Sequence, residues 1–187
     1  MSDGITVDSA LAGRHFGQTE RSFWRAVPGG TGIGVLVLLL SRPVSRFHLD
    51  SALRRLRTSH PILRTQLTTF ACGQPFSSFD DTSPSAPLCT LSASDILPLP
   101  PATASPFHAL LEHELNKNPW AEPAQAHPVF FATAYDGMPE PGRSALALRF
   151  HTAACDRSSS AAILEELLRL IAGASDEEEG SMGRWRT

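Results

Sequence analysis

Hydrophobic and polar positions fall into short blocks along this chain, and the period of each block predicts one element. The strongest is Ile33-Gly34-Val35-Leu36-Val37-Leu38-Leu39-Leu40, an apolar run with glycines before it and Ser41-Arg42-Pro43 after it. A short, uninterrupted run flanked by turn residues predicts a strand covered on both faces. Leu49, Ala52, Leu53 and Leu56 recur at i, i+3, i+4 and i+7, which predicts an amphipathic helix over residues 49–59 ended by Pro61. Residues 64–71 read as a strand with Leu67, Thr69 and Ala71 on one face. Residues 76–79 are its expected hairpin partner across Cys72-Gly73-Gln74-Pro75.

The remaining pattern is similar. Thr19 is placed to cap a short helix over 20–26, which Pro28-Gly29-Gly30 ends. Residues 80–106 are rich in Pro, Ser, Asp and Thr and predict a surface excursion, with 88–91 as an edge strand. A helix over 106–116 follows, with Ser105 as N-cap, Pro106 at its first position, and Phe107, Leu110, Leu111 and Leu115 as its apolar side. Strands over 129–135 and 144–150 come next, the second alternating through Leu146, Leu148 and Phe150 and delivering His151 at its C-terminal end. The last helix, 158–172, carries Ile163, Leu164, Leu167, Leu168 and Ile171, with Asp156 or Ser158 as cap. This order predicts an α/β fold of α+β type, a mixed and mostly antiparallel sheet covered by helices. Residues 1–14 read as a flexible tail, 15–173 as one lobe, and 174–187 as a disordered acidic tail.

Composition narrows the classes. Of 187 residues 42% are hydrophobic and 19% charged, which fits a globular chain. The net charge is −3, and the basic residues are scattered apart from Arg54, Arg55 and Arg57 on a helix face, so no nucleic-acid surface is expected. Cys72, Cys89 and Cys155 are widely spaced and odd in number, which argues against a disulfide framework or a metal site and for a reducing compartment. Residues 1–13 lack the basic-then-apolar pattern of a leader. The longest apolar run, residues 32–40, is about half of the roughly 20 residues a membrane span needs. A cytoplasmic chain with no membrane partner is the expectation.

Candidate chemistry concentrates in Phe150-His151-Thr152-Ala153-Ala154-Cys155-Asp156-Arg157. Polar residues at the C-terminal ends of strands tend to face clefts. A histidine there titrates near neutrality and is able to take a proton from an alcohol or amine. Spacing alone favours a plainer reading, a partly buried structural histidine followed by a capping aspartate. Other features have plainer readings. Gly29 to Gly34 lacks the Lys-Ser/Thr of a phosphate loop and leads into a strand. His108 and His113, five apart, share no helix face and read as surface residues. His60 reads as a packing or loop residue, Cys155 as a small buried one, and Ser158 to Ser160 as helix capping.

Three segments together resemble the N-terminal lobe of the condensation-domain superfamily, which includes chloramphenicol acetyltransferase, the BAHD acyltransferases and the alcohol acetyltransferases. Leu49 to Arg64 resembles the first core helix and its His-Pro-x-Leu-Arg exit. Glu114 to Phe131, with Asn118-Pro119-Trp120, resembles the helix, turn and strand before the active site. His151 to Asp156 resembles the HxxxD motif. The resemblance spans nearly all of residues 15–172. It implies an acyl group moving from a CoA or carrier-bound pantetheine thioester, a co-substrate and no tightly bound cofactor, to a hydroxyl or amine. It further implies His151 as general base and Asp156 as a structural acid partnered by Arg64, Arg149 or Arg157.

The motif is altered here. Four residues separate His151 from Asp156 instead of three, and Arg157 stands where the pattern has glycine. The extra residue either turns Asp156 away from its usual place or is absorbed as a bulge. Two-lobed members are about twice this length, so a second lobe or a homo-oligomer is the expected partner. An exposed apolar face near Leu148 and Phe150 is expected where that partner docks. The alternative reading is a truncated, catalytically incompetent lobe that acts as a binding module.

Overall fold

The apolar runs form strands that pair into two sheets. A computed structural model describes residues 13–69, 75–79, 87–96, 105–121 and 126–182. In chain order its elements are β1 (Gly13–His15), α1 (Gln18–Ala26), β2 (Ile33–Leu40), α2 (Arg46–Ser59), β3 (Thr65–Thr69), β4 (Pro75–Phe79) and β5 (Leu88–Ser92). Then come α3 (Ala93–Ile96), α4 (Pro106–Asn116), β6 (His127–Pro128), β7 (Phe130–Asp136), β8 (Ser144–His151) and α5 (Arg157–Met182). One-turn 3-10 helices lie at Val27–Gly29 and Pro61–Arg64.

The first sheet has the order β1-β4-β3-β6 and the second β2-β8-β7-β5. All pairs are antiparallel except β5 with β7, which are parallel. The α+β class expected from sequence is therefore what the chain adopts, but with two sheets in place of one. The chain crosses between them at Val129. His127 and Pro128 pair with β3, whereas Phe130 onward pairs with β8. At the crossing, Val129 donates its amide to Thr65 O at 3.1 Å and accepts the amide of His151 at 2.9 Å. This seam fixes the C-terminal end of β8.

All eight residues of β8 are buried. One face, Leu146, Leu148 and Phe150, meets Leu53 and Leu56 of α2 and Ile163 and Leu167 of α5. Ala145 and Ala147, on the other face, meet Leu110 of α4 with Tyr135 and Met138. Full burial of a Leu or Phe side chain contributes about 1.5–3 kcal/mol, so this two-sided strand is the main anchor of the core. The expected exposed apolar face around Leu148 and Phe150 is thus corrected: both are fully buried, because α2 and α5 pack on each other across them.

Several local expectations shift. The α1 helix starts at Gln18, with Gly17 as N-cap in place of Thr19, and the Glu20 carboxylate takes the Gly17 amide at 2.7 Å. The α2 helix starts at Arg46, because Ser45 Oγ accepts the His48 amide at 3.2 Å. Ser105 caps α4 as expected. On α4, however, Glu114 faces inward and is fully buried, while Leu115 is 66% exposed. The α5 helix continues through Gly173 and the acidic run to Met182. One glycine costs a helix only about 1 kcal/mol, and the glutamates that follow are good helix formers. Strand β1 has no sequence signature and exists through its pairing with β4. His113 is half-buried, its ring edge-on to Tyr135, and is not the surface residue expected. Cys89 and Cys155 are free thiols; Cys72, like most of the tails, lies outside the described residues.

Candidate functional site at the seam of the two sheets

Strand β8 ends on His151, and the next three residues turn away to begin α5. Two contacts hold that turn to the start of β2. Gly32 O accepts both the amide of Thr152, at 3.0 Å, and its hydroxyl, at 2.9 Å. Gly32 has to be glycine: a Cβ there would come within 2.4 Å of Val27 Cγ2 and 2.8 Å of Phe23 O.

The His151 side chain is 0% exposed. Its ring stacks on Trp24 of α1, with centroids 5.3 Å apart, and meets Trp120 edge to face at 5.5 Å. The Trp120 ring is fixed in turn. Its Nε1 donates to Pro128 O at 2.8 Å, and its amide donates to Asn118 Oδ1 at 3.1 Å. Asn118 Nδ2 donates to Val27 O at 2.8 Å, which joins this turn to the end of α1. The stack continues outward from Trp24 to Phe16 and from Trp120 to Phe131.

Inside this stack His151 Nδ1 accepts the Ala153 amide at 3.1 Å. A neutral imidazole whose Nδ1 accepts carries its proton on Nε2. Nε2 is buried and has no hydrogen-bond partner. Burial disfavours the imidazolium and drops the pKa from its ordinary 6.5 to about 4. As the structure stands, His151 is neutral and presents a proton at Nε2, whereas a general base needs a lone pair within reach of its substrate.

Asp156 is placed differently. It is exposed, and its Oδ1 accepts the Ser159 amide at 2.7 Å as the cap of α5. Hydrogen bonds from Ser159, the backbone amide first, hold its carboxyl below the usual range. Counting four positions on from His151 reaches Cys155; counting four back from Asp156 reaches Thr152. The extra residue is therefore not absorbed as a bulge. Cys155 takes the inward position, where its sulfur receives the Ser160 hydroxyl at 3.3 Å, and Asp156 turns outward. Burial raises the Cys155 thiol above its ordinary value, which keeps it protonated.

The three arginines considered as partners for Asp156 lie apart from one another. Arg157 is exposed in the first turn of α5, and Arg64 is partly buried in the turn before β3. Arg149 belongs to another cluster. Its Nε lies 3.0 Å from Glu114 Oε2 as an ion pair whose N–H is not aligned for a hydrogen bond. Arg149 Nη1 donates to Lys117 O at 3.2 Å, and the guanidinium lies over the Phe131 ring. Tyr135 Oη donates to Glu114 Oε1. Burial first, then that bond, raises the phenol pKa far out of the working range. Sequence reasoning missed Glu114, Trp24 and Trp120 as site residues. A glutamate between a histidine and a leucine on an amphipathic helix reads as solvated, and no local pattern marks two tryptophans far apart in sequence as neighbours. His60, expected in a packing or loop role, pairs with Glu166 at 2.6 Å and ties the end of α2 to α5.

Two spaces border the seam. One, of about 230 Å³, is lined by Trp24, Arg25, Val27, Pro28 and Trp120. The other, of about 340 Å³, touches Ala153 and Ala154 after His151, with Phe16, Thr65 and the Arg14–Glu20 ion pair among its walls. No helix among the described residues is long and apolar enough to cross a membrane.

No protein-family model matches the chain, and no curated protein matches its sequence. Solved structures do match. The starter condensation domain of the rhizomide synthetase RzmA superposes on 88% of this chain, using 38% of its own, with a TM-score of 0.66 at 13% identity. A mutant of that domain in complex with C8-CoA and Leu-SNAC matches over 84% of this chain and 35% of its own, with a TM-score of 0.63 at 13% identity. Holo T3CT matches over 90% and 36%, with a TM-score of 0.64 at 14% identity. The chain has the fold of a condensation domain, and it spans a little over a third of the length of these structures.

Two measurements check this geometry. Replacing Glu114 with Gln keeps an acceptor for Tyr135 but leaves the Arg149 cation buried and unpaired, at an expected cost of about 3–5 kcal/mol in urea unfolding. The double change Glu114→Gln with Arg149→Met is expected to recover at least half. Equal losses in the single and double variants would sink the ion pair. The second measurement concerns pH. The folded state disfavours the proton on His151 and the unfolded chain accepts it near 6.5, so the unfolded state binds more protons between about 4 and 6.5. Stability rises with pH across that window and is lost as pH falls through it, by roughly 3 kcal/mol in full. The variant His151→Asn, whose amide oxygen still accepts from Ala153, is expected to lack this component. Identical pH profiles for wild type and variant would show that the ring is not held neutral.

Proposed function

We propose that this chain is a lobe of an acyl-transfer protein of condensation type, moving an acyl group from a CoA or carrier-bound pantetheine thioester to a hydroxyl or amine. The observation that carries the reading is the fold, in which β8 brings His151 and its turn to the seam where the two sheets meet. The solved structures of this fold include one holding C8-CoA and Leu-SNAC, which gives the donor and acceptor classes their chemical precedent. A second lobe, or a second copy of the chain, completes the site. In this reading His151 is the base, Asp156 shapes the start of α5, and the site works only after a rearrangement. The Ala153 amide leaves Nδ1, the imidazole proton moves to Nδ1, and Trp24, carried on the exposed helix α1, swings off the ring to free the Nε2 lone pair.

One observation favours a second reading. His151 is wholly covered, with Nδ1 occupied by Ala153, and Thr152 stands four residues before Asp156. A lobe fixed in that state has no base and serves as a binding module. Thiol release and product mass from octanoyl-CoA with a leucyl thioester acceptor separate the two. Turnover by the wild-type chain that falls at least about a hundredfold in folded His151→Asn supports the base. Turnover that survives the substitution removes His151 from the chemistry. Wild-type protein that light scattering shows to be an oligomer of the chain and that still has no turnover supports the binding module.

A further inference from the structure

The outer face of α1 joins two spaces of opposite character. The 230 Å³ space is walled by the indoles of Trp24 and Trp120 with Val27 and Pro28, and Arg25 stands at its side. Arg25 is also a wall of an adjoining groove of about 570 Å³, shared with Arg21. One end is therefore apolar and aromatic, and the other carries two guanidinium groups one helical turn apart. Like charges at i and i+4 repel and weaken a helix. The nearby acid of α1, Glu20, is already paired with Arg14 and the Gly17 amide. The arginine pair stands without an acidic partner on its own helix, and an anion from outside would relieve it.

From this juxtaposition we infer that α1 and Trp120 form a binding site for a small amphiphilic anion. A compact apolar chain or ring lies against the two indoles, and a phosphate or carboxylate is held by Arg21 and Arg25. Aromatic walls suit an apolar group through burial and ring contacts. Guanidinium groups suit either anion through charge-assisted, bidentate hydrogen bonds. The Arg21 Nε is committed to Phe16 O at 3.0 Å, which holds that side chain along the helix and leaves its two terminal nitrogens for a ligand. The site needs neither the Nε2 lone pair of His151 nor any turnover, so it stands or falls separately from the acyl-transfer reading.

Tryptophan fluorescence reads the site directly. The chain has three tryptophans; two line the apolar space, and Trp185→Phe removes the third. In the full-length chain carrying that change, octyl phosphate and octanoate are titrated below their micelle concentrations, with 1-octanol as the uncharged control. A saturable change with at least one of the two anions is expected, and the tighter of the two identifies the anionic group. Loss of both arginines in Arg21→Gln with Arg25→Gln is expected to weaken binding about tenfold, as is loss of the charge in octanol. The exposed single change Arg25→Gln, checked by circular dichroism, guards against a folding defect and is expected to weaken binding in the same direction. Absence of a saturable change, equal affinity for octanol, or equal affinity in the arginine variants would overturn the site.

Discussion

An imidazole wedged between two indoles, with its Nδ1 taking a backbone amide from its own turn, holds the seam of this molecule together. The ring of His151 touches α1 through Trp24 and the 118–120 turn through Trp120, while its backbone amide reaches Val129 where the chain passes between the sheets. Three segments remote in sequence therefore converge on one residue. Such a ring has to be neutral. A charged imidazole in this apolar setting would carry the desolvation cost of a buried ion, and the depressed pKa expresses that cost. The same contacts that secure the fold withhold the lone pair that catalysis would use.

The Glu114–Arg149–Tyr135 cluster has the matching role for α4 on the same strand. Arg149 is on the same face of β8 as His151, since the two are separated by one residue, and its guanidinium lies over Phe131, which packs on Trp120. A buried ion pair and an aromatic stack are thus continuous from α4 to α1. Buried pairs of this kind add little net stability over apolar replacements but penalise any arrangement that separates the charges. That penalty pins α4 against β7 and β8 and so sets where the 118–120 turn places Trp120.

Much of this was legible where the signal is local. The period of Leu49, Ala52, Leu53 and Leu56 put α2 in the core, Ser105-Pro106 marked the start of α4, and the alternation into His151 located β8. The paired strands β3 and β4 followed from the turn between them. Long-range effects were not legible. The break of one expected sheet into two depends on a single residue, Val129, bonding both ways. Glu114 faces inward only because Arg149 and Tyr135 wait for it on other strands. The HxxxD-like spacing made His151 a candidate base, but sequence carries no sign of the two indoles that close over it or of the Cys155-for-Asp156 exchange at the inward position.

The state of one nitrogen decides between a resting clamp and a working base. Nitrogen-15 NMR of the His151 imidazole near pH 6 reads it without activity. The expected result is a neutral ring protonated on Nε2, with Nδ1 in a hydrogen bond to the Ala153 amide and no titration until the pH approaches about 4. A ring protonated on Nδ1, or one that titrates near 6.5, would contradict it.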